Sequence, residues 1–225
     1  MRNLTVVIPS KNPDNLYYCL KALRKHEKEV RIVIVDDGLD RAIIKKFPDN
    51  GKNIAIIQGI KPFIYARNCN LAMKCVPSDD IVLLNDDALL ETPKGFTRLQ
   101  HESMNNTSYG IIGATTNVTG QILQRRQNIG LREVPHIAFV CVFIPRRTLR
   151  QIGYLDERYC VDYGVEDRDY CTAVRRAGLK IGVHDSCFVD HGSLISTFRG
   201  DPKAPKSFQQ NLKLYREKWG EYAEA

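Results

Sequence analysis

The sequence predicts an α/β fold with a mostly parallel central sheet flanked by helices, and three observations predict it. Short β-branched runs alternate with stretches of helical periodicity through the first half of the chain. Those runs are apolar at consecutive positions, as in strands covered on both faces. Acidic pairs directly follow two of them, at the carboxyl ends of strands where ligands sit in sheets of this kind.

The elements follow in order. A strand is expected over residues 4–8, ended by Pro9. A helix over 14–26 has apolar residues at 16, 20 and 23, with Asp14 placed to cap it. A continuous apolar strand over 32–35 runs into Asp36-Asp37-Gly38. A short helix over 41–47 is closed by Pro48-Asp49-Asn50-Gly51. Then come a strand over 54–57, a helix over 63–75, and a strand over 81–84 that runs into Asn85-Asp86-Asp87. The second half is less regular. It reads as strands over 111–115 and 136–144, a short helix over 146–152, a helix within 164–178, and short strands over 180–183 and 187–189. A last helix over 207–222 carries Phe208, Leu212, Tyr215 and Trp219 on one stripe, expected to dock on the core. Residues 200–205 read as a mobile loop. With no repeat, low-complexity tract or other linker, one domain over 1–225 is expected.

The chain has 225 residues, 33 Lys+Arg and 26 Asp+Glu, for a formal net charge of +7. The composition is that of a globular protein and excludes a disordered chain, a collagen-like fibre and a coiled coil. The longest apolar run, 137–144, is far short of the roughly 20 residues of a membrane-spanning helix. The N-terminal apolar run is too short for a signal peptide. The seven cysteines contain no CxxC spacing and read as reduced, structural thiols. Together these features lead to the expectation of a cytoplasmic protein. Asn106-Thr107-Ser108 and Asn117-Val118-Thr119 match glycosylation sequons that matter only in a secreted chain. The basic excess points to an anionic partner without identifying it.

Several residue groups are suited to chemistry. Adjacent carboxylates such as Asp86 and Asp87 at a strand end repel each other unless a cation or hydrogen-bond donors compensate. Hard divalent cations such as Mg²⁺ and Mn²⁺ take such oxygens and bring in substrate phosphates. Asp36 and Asp37 repeat the arrangement one strand earlier, where an acid can accept from a nucleobase or a ribose. Taken alone, Asp86-Asp87 reads better as a solvated turn or helix cap, and Asp36-Asp37 equally as a turn closed by Gly38. Gly164-Val165-Glu166-Asp167-Arg168-Asp169 opens a helix, where acids suit the dipole. Glu166 and Asp169 share a face, Asp167 points elsewhere, and a carboxylate held there can serve as general base toward a hydroxyl. His191 follows a short strand beside Asp190 and is a candidate metal or phosphate ligand. Arg67-Asn68 is a candidate diphosphate or base contact, or a surface pair.

The order of these motifs resembles that of the family 2 glycosyltransferases of GT-A fold. The resemblance is carried by VVIPSKN, IVIVDDG, YARNCNLAM, DDIVLLNDD, FIPRRTLRQIGYLDERY, GVEDRDYCTAVRRAGLKI and FVDHGS, over about residues 4 to 195. It implies that Pro9 and Asp37, with Asp36 beside them, hold the nucleotide base, and that Arg67 contacts the nucleotide. Asn85-Asp86-Asp87 matches the DxD-type motif, with Asp86 toward the ribose and Asp87 on a metal, Mn²⁺ or Mg²⁺, that bridges the diphosphate. Asp167 matches the catalytic base, Glu166 shapes the acceptor site, and His191 helps hold the metal or diphosphate. The chain departs from the family's usual pattern in reading DDGLDR for DDGSxD and in placing Asn85 first in the DxD-type motif. On this resemblance, residues 1–115 form a nucleotide-sugar-binding half, 116–200 an acceptor and catalytic half, and 201–225 a C-terminal loop and helix.

The implied activity is metal-dependent, inverting transfer from a nucleotide-diphospho-sugar, with UDP-sugar as the expected donor. The acceptor is a hydroxyl of a saccharide, lipid-linked or glycoprotein glycan. Contact with a membrane would then be peripheral. Modified DNA bases are a lesser alternative that suits a basic surface. A nucleotidyltransferase is disfavoured because Pro9-Ser10-Lys11-Asn12-Pro13 stands where a glycine-rich basic loop would be expected. A non-catalytic nucleotide-sugar-binding module is disfavoured by the complete carboxylate set. Residues 121–151 hold six arginines and one acid, Glu133, and so carry most of the net charge. They are expected to form a solvated basic face or to meet the acceptor or a membrane surface.

Overall fold

A computed structural model describes residues 2–39, 47–159, 164–196 and 204–220. Among them the chain order is β1 (Leu4–Ser10), α1 (Pro13–His26), β2 (Arg31–Asp36), β3 (Ile54–Gln58), α2 (Tyr65–Cys75), β4 (Asp80–Leu84), β5 (Leu89–Leu90), α3 (Gly95–Asn105), β6 (Tyr109–Thr116), β7 (Leu131–Glu133), β8 (Cys141–Ile144), α4 (Arg146–Ile152), α5 (Glu166–Arg176), β9 (Lys180–Asp190) and α6 (Ala204–Trp219). The expected helix over 41–47 and loop over 200–205 lie largely or wholly outside the described residues.

All the strands join one sheet of order β3-β2-β1-β4-β8-β6-β9-β5, with β7 pairing β9 on the side. β1 pairs parallel with β2 and β4, β2 with β3, and β6 with β9, while β8 runs antiparallel between β4 and β6. β3, β2, β1, β4, β6 and β9 therefore point one way and present their carboxyl ends along one edge. Alternating residues of each strand face opposite layers. Val6, Ile8, Ile32, Ile34, Val82 and Leu84 pack with Leu16, Leu20 and Leu23 of α1 and Phe96 and Leu99 of α3. Val7, Val33, Val35, Ile81 and Leu83 pack with Ala66, Ala72 and Met73 of α2 and with Tyr170 and Val174 of α5. Burial on both faces explains the unbroken apolar runs.

Helix α1 begins where Asn12, not Asp14, caps it: Asn12 Oδ1 accepts from the Asp14 and Asn15 N–H groups at 3.0 and 3.2 Å. The strand expected over 136–144 is confined to Cys141–Ile144, because Val134, Ile137 and Phe139 are buried as a packed connection. The two short strands expected over 180–189 are one strand, β9, whose pairing with β6 jumps from Ala114↔His184 to Thr115↔Phe188. This bulge breaks the alternation on which the shorter reading rests. The α6 stripe docks as expected on the protein body, but in a cluster of its own with Tyr159 and Val165. Asp169 fastens it, accepting from Tyr159 Oη at 2.7 Å, Trp219 Nε1 at 2.6 Å and Lys218 Nζ at 2.9 Å. No described helix is long and apolar enough to cross a membrane. Six described cysteines are free thiols, with only Cys75 exposed; Cys160 lies outside the described residues.

Candidate active site

The parallel strands bring the acidic motifs together at their carboxyl edge. The register sets Pro9 beside Val35 and Ser10 beside Asp36. From the next strand, Asp86 turns back toward β1, where Ser10 Oγ donates to its Oδ2 at 2.6 Å. Burial raises the Asp86 carboxyl to about 6; the Ser10 hydroxyl, the Asn12 N–H and the Asn15 amide oppose the shift, and Asp87 adds to it. Asn85 lies half-buried, its N–H donating to the Val140 carbonyl at 3.0 Å.

Asp87 meets His191 through an element with little sequence signal. Two residues after Asp87, β5 pairs antiparallel with the end of β9, Leu89 opposite Asp190. This pairing delivers His191 to Asp87, with Nε2 3.1 Å from Oδ1. On its other side, His191 Nδ1 lies 2.8 Å from the Val118 carbonyl oxygen, which can only accept, so Nδ1 carries the hydrogen. The Asn117 side-chain oxygen accepts from the His191 N–H at 2.8 Å, and the Asn117 amide donates to Asp190 at 2.6 Å. With Nδ1 protonated, a neutral His191 turns an Nε2 lone pair toward a carboxylate oxygen. Two acceptors at that distance need a proton or a metal ion between them. Among the described residues no three His, Cys, Asp or Glu side chains converge. The donor set therefore fits a hard divalent cation that takes its remaining ligands from phosphate oxygens and water, as Mg²⁺ usually does.

On the β2 side, Asp36 is turned onto its own loop, where Oδ1 accepts from the Gly38 and Leu39 N–H groups, both at 2.7 Å. Asp37 pairs with the exposed Lys61. Asn68 is fully buried on α2; its Oδ1 accepts from the Ile60 N–H at 2.7 Å, and its Nδ2 donates to the Ile60 and Ile64 carbonyls at 3.2 and 3.1 Å. Asp36 and Asn68 thus hold the loops that carry Asp37 and Lys61. The Arg67 guanidinium donates to the Ile60 and Pro62 carbonyls, while its buried Nε has no hydrogen-bond partner among the described residues.

The carboxylates of α5 form the second group. Val165 precedes them at φ +89°, a conformation that a β-branched residue rarely adopts and that marks local strain. Asp167 Oδ1 accepts from the Arg168 N–H at 2.7 Å. Burial raises the Asp167 carboxyl, and the Arg168 N–H and charge and the Phe139 N–H partly offset it. Burial, with Asp167 and Asp169 nearby, lifts Glu166 to about 7 against the pull of its own N–H. Asp169, whose charge reaches Glu166, is also the buried partner of α6. The buried hydroxyl of Tyr65 on α2 is raised by burial and by Cys69, and lies near enough to Glu166 and Asp167 for their charges to raise it further.

Ser10, Lys61 and Asn117 contact the expected site residues without standing out in the sequence; only the strand register and loop closures reveal them. The arginine-rich stretch is less available than its composition implies. Arg146 is buried and donates to the Asp79 and Val76 carbonyls at 2.8 and 2.7 Å. Arg147 donates to the Ser103 and Tyr109 carbonyls at 3.0 and 2.9 Å. Arg132 donates to the Leu123 and Arg125 carbonyls and pairs with Asp185.

The family model for glycosyl transferase family 2 matches residues 5–177. No curated protein sequence matches the chain. Among solved structures the chain is similar to GalNAc-T7 with UDP, GalNAc and Mn²⁺, at 12% identity and TM-score 0.74, covering 98% of this chain and 49% of that one. It is also similar to a mannosyltransferase of Pyrobaculum calidifontis with GDP-Man and Mn²⁺, at 13% identity and TM-score 0.71, covering 94% and 68%. Residues 1–349 of S. aureus TarS in complex with UDP-GlcNAc are similar at 15% identity and TM-score 0.68, covering 96% and 66%. The chain thus spans about half to two thirds of these proteins, whose likeness shows the GT-A fold. With the family model matched over most of its length, the chain belongs to glycosyl transferase family 2.

Proposed function

We propose that this chain transfers a sugar from a nucleotide-diphospho-sugar, with UDP-sugar as the expected donor, to a hydroxyl of a saccharide or glycoconjugate, inverting the anomeric centre. The carrying observation is the Asp87–His191 pair at the strand edge beside the buried Asp86. Support for the donor class comes from UDP, UDP-GlcNAc and GDP-Man in the similar structures. In this reading Pro9 and Asp37 bound the base, Arg67 meets the nucleotide, and Asp86 accepts from the ribose. Asp87 and His191 hold Mn²⁺ or Mg²⁺, which when bound neutralises charge on the departing diphosphate. Asp167, oriented by backbone N–H groups, takes the proton of the acceptor hydroxyl as its oxygen bonds to the anomeric carbon. The bond from that carbon to the diphosphate oxygen breaks in the same displacement, so the configuration inverts. Glu166 shapes the acceptor side. A nucleic-acid acceptor gains no support, because Arg132, Arg146 and Arg147 are engaged internally.

The test is a screen of nucleotide-sugars for Mn²⁺-dependent release of nucleoside diphosphate. Asp87→Ala should abolish release. Asp167→Asn should lower transfer by about 10²–10⁴-fold while donor affinity stays within a few-fold. Wild-type transfer by Asp167→Asn would overturn the assignment of the base, and release unaffected by Asp87→Ala would overturn the metal site.

A further inference from the structure

We propose that residues 122–129 form a docking surface for an anionic lipid bilayer, so that the acceptor reaches this enzyme on a lipid carrier. Ile122 is 71% exposed, Leu123 43% and Ile129 64%, and Arg125 and Arg126 stand exposed among them. This exposure is not that of slack chain. Buried Gln124 donates to the Ala114 and Ala138 carbonyls at 3.3 and 3.1 Å and accepts from the Ala138 N–H at 2.9 Å. The Asp185 carboxylate accepts from the N–H groups of Gln127, Ile129 and Gly130 at 3.0, 2.9 and 3.2 Å. Arg132 links that carboxylate, at 3.0 Å, to the Leu123 and Arg125 carbonyls. The segment is fixed from beneath, and the fixed arrangement holds three aliphatic side chains in water. A connection serving only to join β6 to β7 has no need of them.

The chemistry selects the occupant. Residues 117–132 contain no acid, so nothing within the segment repels an anionic surface. Arg132 is paired with Asp185. Among the described residues no carboxylate pairs with Arg125 or Arg126, and the Arg126 guanidinium lies 5.8 Å from the Phe188 ring centroid. Aliphatic side chains flanked by arginines suit an interface in which the former enter the acyl boundary and the latter meet anionic head groups. Val118, whose carbonyl orients His191, begins the same connection. The docking segment thus begins four residues after the carbonyl that orients His191. The lipid-borne acceptor rests on the glycosyl-transfer reading; the docking does not.

The experiment is sedimentation of the full chain with phosphatidylcholine vesicles, with or without about 30% phosphatidylglycerol, in the absence of donor. Binding is expected only to the anionic vesicles and should weaken as salt rises from about 0.05 to 0.3 M. Ile122→Ser with Leu123→Ser, and separately Arg125→Ser with Arg126→Ser, should each reduce apparent affinity at least about ten-fold, since each arginine near such a surface contributes about five-fold. Both variants should keep the wild-type melting temperature and donor hydrolysis. Failure of the wild-type chain to bind anionic vesicles at low salt would overturn the proposal, as would wild-type binding by the variants. Conversion of a dimer to a monomer by Ile122→Ser/Leu123→Ser, with vesicle binding unchanged, would identify a copy-to-copy interface instead. Absent donor hydrolysis in every chain, with vesicle binding intact, would count against the transferase reading alone.

Discussion

Asp86→Asn offers a quantitative test of the electrostatics at the donor edge. Burial raises the Asp86 carboxyl from 3.8 to about 6. Because the folded value lies above the unfolded one, the folded state binds this proton more tightly. The associated stability is fully present below about pH 4 and is lost as pH rises through about 6. Two pKa units at about 1.4 kcal/mol each give about 3 kcal/mol between the limits. Between about pH 4.5 and 7.5 the linkage relation leaves about 2 kcal/mol of that change. An amide has no such transition. Relative to wild type, Asp86→Asn should therefore gain about 2 kcal/mol on passing from pH 4.5 to 7.5, whatever constant offset follows from placing an amide against Ser10. Urea unfolding of both proteins at the two pH values, without metal or nucleotide, measures this difference of differences. The same variant should bind donor at least about ten-fold more weakly, the usual trade between a functional charge and stability. A stability difference constant to within about 0.5 kcal/mol across the two pH values would refute the reasoning.

Three further outcomes follow from particular contacts. Gly59→Ala sets a Cβ 2.8 Å from the Asp36 carbonyl oxygen and 3.0 Å from Asn68 Oδ1; it should cost about 1–3 kcal/mol in denaturant unfolding and weaken donor binding by displacing the loop that carries Lys61. Asp169→Ala strips the buried partner of Tyr159, Lys218 and Trp219, and calorimetry should show a loss of about 3 kcal/mol or more with release of α6. His191→Ala should weaken Mn²⁺ binding, followed by titration calorimetry in the presence of nucleoside diphosphate, by at least about ten-fold.

The donor half of the fold is legible because β1, β2 and β4 are covered on both faces, and a parallel layer between helices makes each position of Ile32–Val35 and Ile81–Leu84 apolar. The same signal misleads at 136–144, where a buried connection and strand β8 are equally apolar. Helix α3 is missed because Phe96 and Leu99 are its only large buried apolar side chains. The acidic motifs are visible as residue types, but their division of labour is not. Asp36 and Asp37 are neighbours, yet one closes a turn and the other faces Lys61. Glu166, Asp167 and Asp169 share one turn, yet α6 claims Asp169 by a contact that comes from about fifty residues away. The pairing of Asp87 with His191 depends on the two-residue strand β5, too short for any period to reveal. Charge shows the same limit in its sharpest form. A count of arginines over 121–151 measures net charge, whereas what a partner meets is the charge left after carbonyl oxygens and Asp185 have claimed Arg132, Arg146 and Arg147. With those three engaged, the outward charge of the 122–129 segment rests on Arg125 and Arg126, set among three aliphatic side chains. The composition that first suggests a general affinity for anions thus becomes a local amphipathic surface, one whose binding should respond to both salt and loss of the aliphatic residues.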